Sequence, residues 1–209
     1  MRKSLPFLLV GLAVALPLEA SAQRAWSLRE ATYITAEQID AVNALPGVDR
    51  QIISRNIGDL NLSVGIIHRG PTTGAMPTGN EGPSERPCGV TAGAPSGARG
   101  IAHDAQTETY VIWSGAGTLV TGGQILYGSR STDDSSVTTT LNGPSCSGFI
   151  VGDVKTIDVK EGDVIIIPAG VPHGWANVDD HVDYLSVRPD PERVLADNYE
   201  HPEIAGQLR

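Results

Sequence analysis

Residues 162–177, GDVIIIPAGVPHGWAN, decide the fold of this 209-residue chain. Residues 164–167 form a short apolar run of β-branched side chains, which predicts a buried strand. Pro168 ends that strand, because proline has no N–H to donate to a sheet. The small residues that follow allow the backbone to turn, so that His173 begins a second strand.

The same stretch has a recognisable spacing, G-x5-P-x-G-x2-H-x3-N, whose fixed positions are Gly162, Pro168, Gly170, His173 and Asn177. This spacing resembles the second motif of the cupins, small β-barrel proteins that often hold one metal ion. The resemblance implies that His173 is a metal ligand. Asn177 is expected to make structural hydrogen bonds.

A version of the first cupin motif, G-x5-H-x-H-x3,4-E-x6-G, lies upstream. His103 and Glu108 match its second histidine and its glutamate, whereas Ile101 stands where the family has its first histidine. The resemblance covers roughly residues 100–177. It implies a metal site formed by His103, Glu108 and His173.

Two imidazoles and one carboxylate are a ligand set that several metals accept. They form the facial triad of non-haem iron sites, and zinc binds the same set with water in an open position. We therefore expect one divalent transition metal, which is Fe, Mn, Zn, Ni or Cu. Cupins with such sites include dioxygenases, isomerases, lyases and decarboxylases, as well as proteins without a known reaction.

The function expected from this resemblance is that of a metalloenzyme acting on a small organic molecule. An oxygen-using oxidoreductase is favoured. The alternatives are a non-catalytic metal- or ligand-binding cupin and a cupin lyase or isomerase.

The strand that begins at Glu108 presents two faces. Glu108, Tyr110 and Ile112 share one of them, and Val111 and Trp113 share the other. Both faces carry apolar residues, so alternation alone allows either to point inward. The motif spacing favours Glu108 inside, where a carboxylate needs a partner or a metal. Tyr110 is then the candidate catalytic residue, as an acid, a base or a hydrogen-bond donor, or simply an aromatic residue that fills the barrel.

His68 ends a predicted strand on which it shares one face with Leu60, Leu62, Val64 and Ile66. We expect this apolar face to point to the core. His68 is then a metal ligand in place of the missing histidine, a substrate contact or an ordinary core histidine. Trp175 shares a strand face with His173 and is expected to line the pocket.

Short strand-like runs separated by glycine-rich turns predict an antiparallel sandwich or barrel. Together with the resemblance they give an all-β fold, an antiparallel jelly-roll β-barrel, with strands at residues 51–56, 60–68, 108–114, 118–121, 124–127, 137–141, 156–159, 164–167, 174–177 and 182–187. Thr35 and Gln38 form a capping box that predicts a short N-terminal helix. Residues 70–100 contain eight glycines and five prolines and are expected to form a long loop.

Residues 1–22 have the pattern of a secretory signal peptide, with Arg2 and Lys3 before an apolar stretch and Ala-Ser-Ala at the end. The remaining residues 23–209 suit a single cupin domain with its barrel core at about residues 50–190. We therefore expect a periplasmic or secreted protein that has no membrane association once the signal is removed.

The charge of the chain also bears on its partners. The net charge is −9, and the few lysines and arginines are scattered, which gives no electrostatic footprint for nucleic acid or anionic lipid. The expected partner is a small-molecule substrate or ligand, and the resemblance to cupins implies a homodimer.

Cys88 and Cys146 are the two cysteines of the chain. In an oxidising compartment such a pair is usually a disulfide. Metal ligation is the rival interpretation, but neither cysteine has a second cysteine or a histidine at ligand spacing. The sequence therefore predicts a disulfide between Cys88 and Cys146.

Overall fold

The computed structural model of the protein describes residues 30–72, 84–94 and 97–208, so the predicted signal peptide lies outside the described part. One α-helix, α1, covers Ala36–Asn43. The nine strands β1 to β9 cover Asp49–Asn56, Asn61–Arg69, Pro87–Cys88, Arg99–His103, Glu108–Arg130, Ser145–Lys160, Val164–Ile167, His173–Asn177 and Val182–Asp190. None of the helices in the described residues is long and apolar enough to cross a membrane.

The strands form two antiparallel layers that share the long strand β5. The first layer has the order β1-β2-β9-β5-β7 and uses the beginning of β5. In the second layer the rest of β5 pairs with β3, β6 and β8, and β4 joins β6 to β8. Gly115 lies where β5 changes layers, at φ +73°, and a Cβ there would collide with the carbonyl oxygen of His181. The prediction of an antiparallel jelly-roll barrel is confirmed.

The first layer is apolar on both faces. Its inner face contributes Ile67, Tyr110, Ile112 and Tyr184 to the barrel core. Its outer face packs against α1 and the C-terminal tail in a second core that contains Ile39, Val42, Ile66 and Ile204. The predicted capping box of α1 is present, and Trp113 Nε1 donates to Asp40 of the helix from the outer face.

The second core, on the outer face of the first layer, corrects the prediction of which face of β2 points into the barrel. Val64 and Ile66 point outward to α1, and the buried residues Asn61, Ser63 and Gly65 point into the barrel. The apolar face of this strand is therefore not the barrel face. The reason is that α1 and the tail bury the outer side, so that burial alone does not identify the inside.

A further prediction of secondary structure, the strand at residues 137–141, is wrong. Val137–Leu141 is a π-helical turn and not a strand, because Thr139 and Thr140 donate hydroxyl bonds to the carbonyls of Ser135 and Ser136 four residues back. Within the predicted long loop at residues 70–100, the described residues include the two-residue strand β3 and the first two residues of β4.

The predicted disulfide is confirmed. Cys88 and Cys146 are bonded, with their Cα atoms 6.0 Å apart. The bridge ties the short strand β3, which lies within the Gly/Pro-rich segment, to the first residues of β6. Neither cysteine is therefore free to bind a metal.

Candidate metal centre

Three strand ends bring His103, Glu108 and His173 together. His103 is the last residue of β4, Glu108 is the first residue of β5 and His173 is the first residue of β8. All three are buried, with exposed fractions of 4%, 1% and 3%. Glu108 Oε2 lies 3.2 Å from His103 Nε2 and 3.1 Å from His173 Nε2. The residues that the cupin resemblance selected thus form one cluster.

The hydrogen-bond partners of His103 and His173 define which ring nitrogen carries the proton. Ser145 Oγ donates to the carbonyl of Gly143 at 2.9 Å, so it accepts from His103 Nδ1 at 2.8 Å. His173 Nδ1 donates to the carbonyl of Val171 at 3.0 Å. Each ring therefore carries its proton on Nδ1 and turns the lone pair of Nε2 towards the glutamate. Such a bond on the second nitrogen is the usual support of a metal-binding histidine.

The cluster consequently joins atoms that all accept hydrogen bonds. His173 Nε2 is buried and has no hydrogen-bond partner, although it lies 3.1 Å from Glu108 Oε2. Two lone pairs and a carboxylate oxygen at such distances repel one another, and a cation between them removes that repulsion. The residues therefore fit a divalent transition metal, held by two nitrogens and one oxygen.

Glu108 stays ionised in this buried place. Burial is the largest single influence and raises the pKa of Glu108, but the positive charge of Arg188 and the neighbouring imidazoles of His103 and His173 together outweigh it and hold the pKa well below its usual range. Burial also lowers the pKa of His103, which keeps that imidazole neutral. A charged carboxylate and a neutral imidazole are the forms that bind a metal.

Arg188 is a site residue that the sequence reasoning missed. Its side chain is fully buried, and its Nε donates to Glu108 Oε1 and to Ser186 Oγ, both at 2.9 Å. Its Nη2 donates to Asp49 Oδ2 at 2.6 Å. The signal was present, because Arg188 follows Tyr184 and Ser186 on alternate positions of β9. The predicted strand ended at residue 187, one position before Arg188, whereas β9 continues to Asp190.

Asn142 is the second missed residue. Its Nδ2 lies 3.0 Å from His103 Nε2 and 2.9 Å from Glu108 Oε1, and its side chain is buried. Asn142 directly follows the π-helical turn, where a strand was predicted. No sequence pattern indicated that this turn would carry an amide to the cluster.

A cavity of about 780 Å³ opens above the cluster. Tyr110, Trp175 and Tyr184 line it, and so does the apolar side chain of Ile101. Tyr110 OH donates to Glu108 Oε2 at 2.9 Å, and the ring centroid of Tyr110 lies 6.0 Å from that of His173. Trp175 Nε1 donates to Tyr184 OH at 3.2 Å. The wall beside the cluster is thus aromatic.

His68 lies elsewhere, and the expectation that it contacts the metal or the substrate is corrected. It is on the outer face of β2, where its Nδ1 is 2.6 Å from Asp183 Oδ1 and its ring stacks on His181. Its neighbours Ile67 and Arg69 line the cavity, whereas His68 does not. The physical reason is that β2 turns the opposite face to the barrel from the one predicted, so that its even-numbered side chains point away from the barrel.

Comparison with known proteins gives low similarity throughout. No known family model matches the chain, and no curated protein sequence matches it. Similar solved structures include a protein from Bacillus halodurans, with 14% identity and a TM-score of 0.40 over 81% of this chain and 87% of that chain. A protein with a double-stranded β-helix domain from Klebsiella pneumoniae has 13% identity and a TM-score of 0.36, over 78% and 93%.

An oxalate oxidase in complex with the substrate analogue glycolate is also similar, with 13% identity and a TM-score of 0.34. The similarity covers 71% of this chain and 54% of the oxidase chain, so this chain spans about half of that protein.

An antiparallel β-barrel with two histidines and one glutamate on its inner wall is a cupin-type arrangement. The cupin resemblance found in the sequence is therefore confirmed at the level of the fold.

Proposed function

We propose that this protein is an exported mononuclear metalloenzyme that acts on a small organic molecule, with an oxygen-using oxidoreductase as the favoured reaction class. The carrying observation is the convergence of three ligand atoms beneath a cavity of about 780 Å³. Small-molecule sites typically have volumes of about 300–1,000 Å³. Export is supported by the signal-peptide pattern and by the disulfide.

In this proposal His103, Glu108 and His173 hold one divalent transition metal. When bound on such a ligand set, the ion supplies open positions for oxygen and substrate. Fe, Mn, Zn, Ni and Cu all remain candidates, because two imidazoles and a carboxylate accept each of them.

Tyr110 is the proposed catalytic residue. Burial, and next the charge of Glu108, raise the pKa of Tyr110 well above its usual range, so the phenol keeps its proton at neutral pH. Tyr110 therefore acts as a hydrogen-bond donor or acid towards a ligand oxygen beside Glu108, and not as a base. Arg188 keeps Glu108 ionised and in place from the opposite side of the carboxylate.

The charges around the cavity favour an organic anion as substrate. Arg69 and Arg99 both line it, and Arg69 Nε donates to Tyr184 OH at 3.5 Å. Glu108 and Asp49 are both paired with Arg188, so a bound divalent ion makes the cavity positive. The aromatic side chains of Tyr184 and Trp175 suit the apolar body of such a molecule.

The test combines metal analysis with an assay. Untagged protein is expected to hold about one transition metal per chain, and the double variant His103→Ala/His173→Ala is expected to lose it. Oxygen uptake is then measured over pairs of small carboxylates and their matching amides, with the double variant as control.

Uptake with a carboxylate that stops in the double variant supports the proposal. A full metal complement in the double variant would refute the site. A metal that the double variant loses, without turnover of any compound, would favour the non-catalytic binding alternative.

A further inference from the structure

Asn142 reaches the cluster from a fixed backbone. Its N–H donates to the carbonyl of Val137 at 2.9 Å, and the N–H of Gly143 donates to the same carbonyl at 3.0 Å. These bonds close the π-helical turn Val137–Leu141, a kind of turn that is frequent at functional sites. The carboxamide is therefore presented to the cluster by a closed turn.

The fourth position of the metal site lacks its usual side chain. Ile101 lines the cavity on the same strand as His103, but an isoleucine offers no ligand atom. Within the described ranges, the group of His, Cys, Asp and Glu residues that fits a metal contains three members. Asn142 Nδ2 is 3.0 Å from one of them, His103 Nε2.

We propose that Asn142 is a fourth metal-binding residue, which binds through its carbonyl oxygen Oδ1. This inference rests on the proposed metal site. Without an ion, the amide NH₂ donates to His103 Nε2 and to Glu108 Oε1. With an ion on His103, the lone pair of His103 Nε2 is bound to the metal, and the amide N–H of Asn142 would point at a cation.

A half-turn of the carboxamide resolves this conflict. It exchanges Oδ1 and Nδ2 without moving the backbone. Oδ1 then occupies a place 3.0 Å from His103 Nε2, close to the roughly 3 Å that separates adjacent ligands at right angles on bonds of about 2.1 Å. Glu108 Oε1 loses one bond and then lies 2.9 Å from Oδ1, a repulsion that the cation bound to both residues offsets, and it keeps the bonds from Ser186 and Arg188.

The oxygen of an amide also influences which ion is preferred. Carbonyl oxygens suit manganese better than they suit the softer ions, whereas imidazoles suit zinc and copper. A site with Asn142 in the fourth position is therefore more favourable to Mn²⁺, relative to Zn²⁺, than the three ligands alone.

The experiment measures Mn²⁺ and Zn²⁺ affinity of metal-free protein by calorimetry or chelator competition. Asn142→Ala is expected to weaken Mn²⁺ binding by about 10-fold or more, by the scale of losses at supporting partners, and to weaken Zn²⁺ binding less. Asn142→Asp is expected to retain or increase the Mn²⁺ affinity, because it supplies an oxygen in the same place. Asp133→Asn, at a residue just before the same turn whose side chain is 92% exposed, is the matched control and should change neither affinity.

The sign of the Asn142→Ala effect decides between two roles. If the amide only competes for His103 Nε2, its removal strengthens metal binding or leaves it unchanged, and either result would overturn the proposal. Retained Zn²⁺ binding shows that the variant is folded. A wild-type protein that binds neither ion would overturn the metal site itself, whereas normal binding in all variants would overturn the role of Asn142 alone.

Discussion

Replacing Arg188 by methionine is the most informative test of how the site is built. Methionine fills a similar volume but removes the positive charge that Glu108 and Asp49 share. Arg188 is fully buried, and the side chain of Glu108 is only 2% exposed. Water therefore compensates little for the bond that Glu108 loses, and Glu108 and Asp49 lose the cation that they share.

The expected cost follows from these contacts. Two hydrogen bonds between Arg188 and a carboxylate are lost, each of about 1.5–3 kcal/mol, and breaking a buried ion pair on one side typically costs about 3–5 kcal/mol. For a chain of this size, 1 kcal/mol corresponds to roughly 2–4 °C in Tm. Arg188→Met should therefore lower the free energy of unfolding by about 3–5 kcal/mol, and Tm by about 6–20 °C.

Thermal and urea unfolding, followed by circular dichroism, measure this loss. Arg86→Met is the matched control, because Arg86 pairs with Asp133 on the surface at side-chain exposures of 39% and 92%. Such a pair contributes about 0–1 kcal/mol. Neutralising both carboxylates by Asp49→Asn and Glu108→Gln should restore part of the stability of Arg188→Met. A loss below about 1 kcal/mol in Arg188→Met would refute the reasoning.

Three other predictions concern the frame around the site. Replacing Cys88 and Cys146 by serine should cost about 4 kcal/mol in unfolding free energy, because the bridge closes a loop of 58 residues; equal stability of oxidised wild type and variant would contradict this. His68→Leu should leave metal content unchanged in elemental analysis, since His68 lies outside the cavity, and a loss of metal would contradict its placement. Gly100→Ala should lower metal affinity, because a Cβ there collides with the backbone carbonyl of His173. Gly70→Ala, where the added Cβ has open space, should leave metal affinity unchanged. Equal metal affinities of the two variants in calorimetry would count against the packing argument.

The sequence predicted the parts of the site that depend on short-range spacing along the chain, within the two motifs and along the first residues of β5. The two motifs located the three candidate ligands, and alternation then placed Tyr110 and Ile112 on the face of Glu108. All three residues are buried inside the barrel, at 1–3% exposure. Alternation alone had left the inner face of this strand open, and only the motif selected it.

Prediction from the sequence failed where both faces of a strand are buried. On β2, both faces are covered, the inner one by the barrel and the outer one by α1, so the apolar face did not identify the inside. His68 was consequently assigned to the wrong side. Asn142 was missed for a different reason, because threonine hydroxyls turned a strand-like run into a π-helical turn.

The inner face of β9 explains why a buried arginine belongs to such a site. Burial works to raise the pKa of Glu108 and to favour its neutral form, which is a poor metal ligand, and Arg188 is the largest of the influences that oppose burial. With Arg188, the carboxylate stays charged before any ion arrives, and Ser145 and Val171 already fix the two imidazoles. The barrel thus holds the three ligand atoms in their binding forms at the expense of mutual repulsion, and a divalent cation is the partner that relieves it.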